Sequence, residues 1–176
     1  MFPILETERL ILRELTESDA QSILNCFSNT DVLRYYGQNP LKSIDQVKQI
    51  IRNFAESYNE KHGIKWGIER KGTKGIIGPI GFHDWSSEHK RANISYALFP
   101  EQWGNGYATE AVSQVISYGF HTLHLTRIGA IVFLENESSN KLLTKLGFKK
   151  EGVLQNYMYQ NGIPYDTNVY SLLKSV

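Results

Sequence analysis

Between Phe99 and Ala111 the chain reads Pro-Glu-Gln-Trp-Gly-Asn-Gly-Tyr-Ala-Thr-Glu, so two glycines one residue apart run straight into a helical pattern. Gly104 and Gly106 let the backbone turn tightly and come close to a ligand. The helix behind them presents unpaired N–H groups and the positive end of its dipole to an anion. The chemistry this suggests is a phosphate cradle. Ala108, Ala111, Val112, Val115, Ile116 and Phe120 recur three and four apart, which buries one face of that helix, and Gly119 lies near its end. An isolated Gly-x-Gly serves a plain strand-to-helix turn equally well, so the cradle needs support from elsewhere in the chain.

Two familiar nucleotide motifs do not fit. A P-loop places Lys and then Ser or Thr directly after its last glycine, where this chain has Tyr107 and Ala108. A dinucleotide fingerprint needs a third small residue, where Thr109 stands, and an acidic residue about twenty positions on. The segment from Leu123 to Val132 has no carboxylate.

Other segments accompany the loop. Thr7-Glu8-Arg9-Leu10-Ile11-Leu12-Arg13 lies near the N-terminus, Asn136-Glu137-Ser138-Ser139 and Leu146-Gly147-Phe148 follow the loop, and Glu151-Gly152, Asn161-Gly162, Asp166 and Tyr170-Ser171-Leu172-Leu173 close the chain. Together with Trp103 to Ala111 these resemble the GNAT N-acetyltransferases, in particular the Rim-type branch that modifies ribosomal-protein N-termini, and the likeness spans almost the whole chain. It implies an α+β GNAT fold, with a mixed, mostly antiparallel twisted sheet flanked by helices. It also implies acetyl-CoA as acetyl donor and transfer to a primary amine in a ternary complex, with no metal.

By that resemblance the main chain of Ala97, Leu98 and Phe99 pairs with the pantetheine arm as an added strand would. Trp103, Gly104, Asn105, Gly106, Tyr107, Ala108 and Thr109 form the pyrophosphate loop, and Asn136 bonds the arm near the thiol, unless it is a simple turn or cap residue. Many GNAT enzymes carry a Tyr as general acid on the following helix, but this chain has Leu143 there. Ser139 is the substitute, its hydroxyl able to donate to the nascent thiolate, although a serine there also suits a helix cap. Acceptor contacts fall to Tyr35, Tyr36 and Gly37, to Trp85, Glu135 and Tyr157, since aromatics can cover peptide backbone and face a cation.

No general base declares itself. Asn93 and Ser95 are merely polar where several branches carry a carboxylate or its partner, and Ile131 and Met158 are apolar. His83, Glu101 and Glu135 remain candidates that also read as ordinary solvated groups. A protonated α-amine has a pKa near 8 and a lysine near 10.4, so freeing the lysine amine costs about 3 kcal/mol more. A weak base therefore suits the α-amine of a protein or peptide N-terminus. A small-molecule amine and a non-catalytic acyl-CoA sensor are the alternatives.

The elements that must position these residues alternate along the chain. Leu10, Leu12 and Leu15 mark a strand, and Thr16 can cap a helix with Ala20, Ile23, Leu24 and Phe27 on one face. Ser43 and Gln46 have capping-box spacing ahead of Val47, Ile50, Ile51, Phe54 and Tyr58. Strands follow at 64–70, 75–85 and 91–98 as an antiparallel meander, and Pro79 inside the second predicts an edge or a bulge. Beyond the glycine-led helix come a strand at 127–133, a helix at 138–146 and a hairpin of 149–160 with 163–173. The order is β-α-α-β-β-β-α-β-α-β-β.

Composition sets the remaining bounds. The 176 residues suit one domain, 1–176, large enough for a real core. With 19 basic against 18 acidic side chains no global field draws in nucleic acid or a membrane. Cys26 is the lone cysteine, so no internal disulfide forms, and it falls in a helix stripe as packing rather than as an acetyl carrier. No signal peptide or long apolar run is present, which predicts a cytoplasmic protein, monomeric or homodimeric.

Overall fold

Apolar residues recur at every second position in some stretches and at every third or fourth in others, and the chain switches between these periods along its length. The computed structural model describes residues 1–176. Its elements are β1 (Leu5–Glu6), β2 (Leu10–Glu14), α1 (Ala20–Ser28), α2 (Thr30–Leu33), α3 (Ile44–Asn59), β3 (Ile64–Arg70), β4 (Ile76–Ser86), β5 (Arg91–Tyr96), α4 (Tyr107–His121), β6 (Arg127–Phe133), α5 (Glu137–Lys145), β7 (Lys149–Gln160) and β8 (Ile163–Leu173). The two-residue β1 and the one-turn α2 add to the expected order, because neither is long enough to show a period.

All eight strands form one sheet in the order β1-β2-β3-β4-β5-β6-β8-β7, antiparallel throughout except for β5 beside β6. Leu10, Leu12, Ile64, Trp66, Ile68, Ile80 and Phe82 pack with Ala111, Val112 and Val115 of α4 and Leu143 of α5 in the larger core. Ile23 and Phe27 of α1 and Val47 and Ile51 of α3 join Leu15, Ile76 and Ala97 in a smaller one. Cys26 is buried as packing, and desolvation, helped by the charge of Glu101, pushes its thiol up to about 12.

Two irregularities shape the middle of the sheet. The β3–β4 register slips between Ile68 and Glu69, opposite Gly78 and Ile76, which is the bulge that Pro79 predicts. The edge does not appear, since β4 lies between β3 and β5. Pro79 is tolerated there because its carbonyl accepts from Ala97 N–H (3.0 Å), so its missing N–H is lost on the β5 side, where the strands loosen. Gly78 is obligatory for contact reasons: a Cβ there would stand 1.9 Å from the Ala97 carbonyl oxygen.

The second irregularity is a fork. β5 and β6 pair only from Arg91↔Arg127 to Asn93↔Gly129. From there β5 stays with β4 as far as Ile80↔Tyr96, while β6 stays with β8 as far as Phe133↔Thr167. The expected strand 91–98 therefore ends as a ladder at Tyr96, and a wedge opens between the two half-sheets.

The entry to α1 is fixed by charge. Arg13 reaches both carboxylate oxygens of Asp19 (3.0 Å each) and Glu69 (3.0 Å), and Asp19 also accepts from Thr16 N–H (2.9 Å). Burial works against the Asp19 carboxylate, but the bonds from Arg13 and Thr16 outweigh it and hold its pKa below the ordinary value. A folded pKa below the unfolded value means stability that is present above the unfolded pKa of about 3.9 and lost as pH falls below it. Asp19→Asn is expected to cost about 2 kcal/mol at pH 7 and to shrink the loss of stability below pH about 4. Urea melts of both proteins at neutral and acid pH check this, and equal stability at pH 7 would contradict it.

Candidate functional site

Gly104 (φ 77°) and Gly106 (φ 79°) both adopt the left-handed conformation, and Gly106 is the N-cap of α4. Only glycine takes this geometry without strain, and it aims the first amides of the helix outward. A hollow of about 370 Å³ lies over Gly104 and Gly106 to Thr109, closed on the far side by Ser138, Ser139 and Leu142 of α5.

The loop is clamped from behind. Arg9 donates to Glu110 (2.7 Å) and to the Asn105 carbonyl (2.9 Å) and lies over the Tyr107 ring at 4.6 Å. Glu110, in the first turn of α4, also accepts from Thr7 Oγ1 (2.6 Å) and Arg9 N–H (2.9 Å). Thr7, Arg9 and Glu110, a hundred residues apart in the chain, thus form one fixture. The Asn105 side chain does not line the hollow but spans back to the Gln102 and Trp103 carbonyls (3.2 Å each), while no protein group accepts its main-chain N–H. Trp103 is half exposed but tied down, its Nε1 donating to the Leu98 carbonyl at 3.0 Å.

Along the fork, alternate residues of 96–99 point their main-chain groups in opposite directions. Ala97 and Phe99 turn theirs to β4, donating to Pro79 and Ile77 (3.0 and 2.9 Å). Phe99 is therefore no partner for a ligand: its amide is used, its carbonyl accepts from Gln102, and it lines none of the hollows. Ala97 touches the site but turns its N–H away from it. Leu98 turns its amide to the open side, where no protein group accepts it.

Asn136 caps α5, its Oδ1 accepting from Ser139 N–H (3.3 Å) and Ser138 Oγ (3.2 Å). The cap reading is thus correct for the oxygen, and the Nδ2 end is left for another partner. Asn140 holds the turn before it. Its amide donates to the carbonyls of Phe133 (3.0 Å) and Asn136 (2.8 Å), while its oxygen accepts from Tyr170 OH (2.6 Å) and Asn168 (2.9 Å). Asn140 itself did not stand out in sequence, because a hub of this kind joins three elements that meet only in the fold.

Tyr96 and Ser139 are the only residues common to three adjoining hollows, of about 300, 370 and 400 Å³. Tyr96 OH donates to Ser139 Oγ at 3.2 Å. Burial raises the phenol's pKa, and the Ser139 bond opposes the rise. Leu143, which occupies the place of a tyrosine in many relatives, is fully buried. A phenol absent from α5 is thus present on β5, against the same serine. Sequence reasoning passed over Tyr96 by valuing 96–99 for its main chain alone.

Tyr35, Tyr36 and Glu135 line the 300 Å³ hollow, and Tyr35, Tyr36, His83 and Tyr157 line the 400 Å³ one. The segment bearing the tyrosines is strapped to β7, where Gln160 accepts from Gly37 N–H (2.9 Å) and donates to the Gln38 carbonyl (2.9 Å). Trp85 is not in the site. The β4–β5 register slips between His83 and Ser86, Asp84 turns left-handed (φ 49°), and Trp85 packs instead against the larger core. Glu101 also lies outside all three hollows. His83 faces the acceptor-side hollow, and burial, aided by the charge of Lys65, keeps its imidazole below the ordinary pKa. No group of metal-ligating side chains occurs, and no helix is long and apolar enough to cross a membrane.

Comparison with known proteins bears on this arrangement. Residues 9–149 match the family model described as an acetyltransferase (GNAT) domain. The uncharacterized N-acetyltransferase YoaA of Bacillus subtilis is 60% identical over 99% of this chain and 98% of its own. A spermidine N(1)-acetyltransferase of Escherichia coli is 28% identical over 86% of this chain and 78% of its own. The crystal structure of a ribosomal-protein-S5-alanine acetyltransferase from Vibrio fischeri superposes with a TM-score of 0.84 at 27% identity, covering 97% of this chain and 96% of that one. The chain belongs to the GNAT acetyltransferases and is an N-acetyltransferase that uses acetyl-CoA.

Proposed function

We propose that the acceptor is the α-amine of a protein or peptide N-terminus, of the kind ribosomal proteins present. One observation carries this reading: the acceptor-side hollow holds no spaced carboxylates that could grip a polycation. Asp84 is its single acidic lining residue, and Lys65 stands behind its wall, bonded to Ser95. In the neighbouring hollow Asp31 lies 3.5 Å from Arg34, leaving Glu135 and Glu137 at the mouth. Tyr35, Tyr36 and Tyr157 suit a peptide backbone, whose apolar parts stack on rings. A cationic tail emerging past Glu135 also fits a basic ribosomal protein.

When bound, acetyl-CoA supplies an acetyl group activated as a thioester. The Leu98 amide and the loop of Gly104 and Gly106 to Thr109 fit it: an unpaired N–H faces the wedge, and the glycines present helix amides without side chains in front. Asn136 Nδ2 serves the same arm. Ser139 and Tyr96 hold the proton for the departing thiolate, as a hydroxyl pair in which each can donate once the other is oriented. Burial raises the Tyr96 phenol's pKa further above neutrality, so the proton it offers is in place.

Two outcomes follow. In a thiol-release assay with acetyl-CoA, peptides with free N-termini should outpace spermidine and free amino acids by at least about tenfold in kcat/KM, a gap worth about 1.4 kcal/mol of transition-state binding. A preference for spermidine would overturn the acceptor reading. Ser139→Ala should lower kcat by about a hundredfold with little change in the Kd for acetyl-CoA. A weaker Kd at unchanged kcat would make Ser139 a binding residue only.

A further inference from the structure

One partly buried cation has no chemical role in the account above. Lys65 of β3, Gly81 of β4 and Ser95 of β5 stand side by side in register, Lys65↔Gly81 and Gly81↔Ser95. Since Gly81 has no side chain, the Lys65 stem crosses β4 and sets its Nζ 3.0 Å from Ser95 Oγ. Its same-face neighbours two residues away along the chain are Gly63, just before β3, and Gly67, so no side chain there competes for the space. Lys65 forms no ion pair, while Ser95 lines the acceptor-side hollow together with Tyr96 and Ser139. On its other side Lys65 lines a separate cleft of about 200 Å³ between β3, β4 and α3, edged by Ser57 and His83.

We infer that Lys65 is the terminal acceptor of the proton that leaves the acceptor amine, reached through the Ser95 hydroxyl. Lys65 acts through Ser95 and does not touch the substrate. As the amine nitrogen bonds to the thioester carbonyl carbon, its proton passes to Ser95 Oγ, and the Ser95 hydroxyl proton passes to neutral Lys65 Nζ, making an ammonium. The C–S bond breaks, and the sulfur takes a proton from the Tyr96–Ser139 pair. Lys65 then returns its proton to water through the 200 Å³ cleft, and the hydroxyl pair regains one, so the net result is amine proton to thiol.

The surroundings suit such a group. Desolvation lowers the Lys65 pKa to about 8, so a usable fraction is neutral at physiological pH. From β4 come His83 and, next to it, Asp84; from β2 comes Glu14, across a small cleft and not paired with Lys65; the chain after α2 brings the Tyr36 hydroxyl towards Ser95. From α3 come Phe54, Ala55 and Ser57, with the Phe54 ring centroid 5.5 Å from Nζ. Glu14 and Asp84 are the only acidic groups of this set, and neither touches Nζ. This route needs no carboxylate base, in keeping with apolar Ile131 and Met158 in the same hollow.

The test uses the full chain, saturating acetyl-CoA and the fastest acceptor from the amine panel, in wild type, Lys65→Met, Lys65→Arg and Ser95→Ala, from pH 6 to 10. The acceptor's own ionisation is common to all four proteins and cancels in the ratio of wild-type to variant kcat/KM. That ratio should climb from near 1 at pH 6 to about 100 above pH 9, bending near 8, for all three variants. Removing or fixing the charge leaves acetyl-CoA binding intact, and Lys65→Met relieves a desolvated cation, so its Tm should not fall. A ratio that is flat across the range would reduce Lys65 to a structural residue. A flat Lys65→Met ratio beside a His83→Gln ratio that climbs with pH would move the role to His83, and either result overturns the inference.

Discussion

A strand can share its ladder with two neighbours only while both keep its twist and register, and β5 loses one of them after Asn93. Gly78 and the Ala97 carbonyl meet too closely for any Cβ, and Pro79 withholds a donor, so the end of β5 follows the bulged β4 away from β6. β6 meanwhile stays in full register with β8. The wedge between them is where Tyr96, Leu98 and Ser139 meet the glycine loop. The Leu98 amide faces into it, Tyr96 crosses it to Ser139, and the two left-handed glycines close one end. Without the fork, Tyr96 and Leu98 would spend their main-chain groups on β6, and the sheet would have no interior surface to offer.

Rigidity around the wedge comes from charge and polar hubs rather than from apolar packing alone. Arg9, Thr7 and Glu110 fix the glycine loop against β2, and the Glu110 pKa is low because the bonds from Thr7 and Arg9 outweigh its desolvation. Asn140 does the same for the turn bearing Asn136 and Ser139, and Gln160 for the segment bearing Tyr35 and Tyr36. Each hub binds main-chain groups that would otherwise lie unpaired at the ends of elements. Preorganised donors of this sort lose little on binding a ligand, which is where a transferase gains from holding its donor and acceptor side by side.

Much of this is legible in the sequence. The period of three and four marks the buried stripes of α1, α3 and α4, and Ser43 does cap α3, whereas Thr16 precedes a 3-10 turn at Glu17–Asp19 and α1 begins only at Ala20. Gly104 and Gly106 announce a turn in left-handed geometry. Pro79 announced a bulge. What stayed hidden depends on partners remote in the chain. Phe99 sits in the right motif, yet its amide and carbonyl are used internally, and nothing local distinguishes an inward from an outward amide. Trp85 looked like a rim aromatic by residue type alone, and the register slip between His83 and Ser86 leaves it packed against the larger core. Tyr96 and Lys65 were unremarkable in sequence, since the value of each lies in one contact across strands, to Ser139 and to Ser95.

The central claim is that the fork between β5 and β6 is where acetyl-CoA lies, held by the outward amide of Leu98 and the first amides of α4. Amide hydrogen exchange of the protein with and without saturating acetyl-CoA tests it most directly. The account predicts slowed exchange at Leu98 and across Gly104 to Thr109, with the paired amides of Ala97 and Phe99 little changed. Slowing confined to other segments, or none in the loop while binding is saturated, would contradict it.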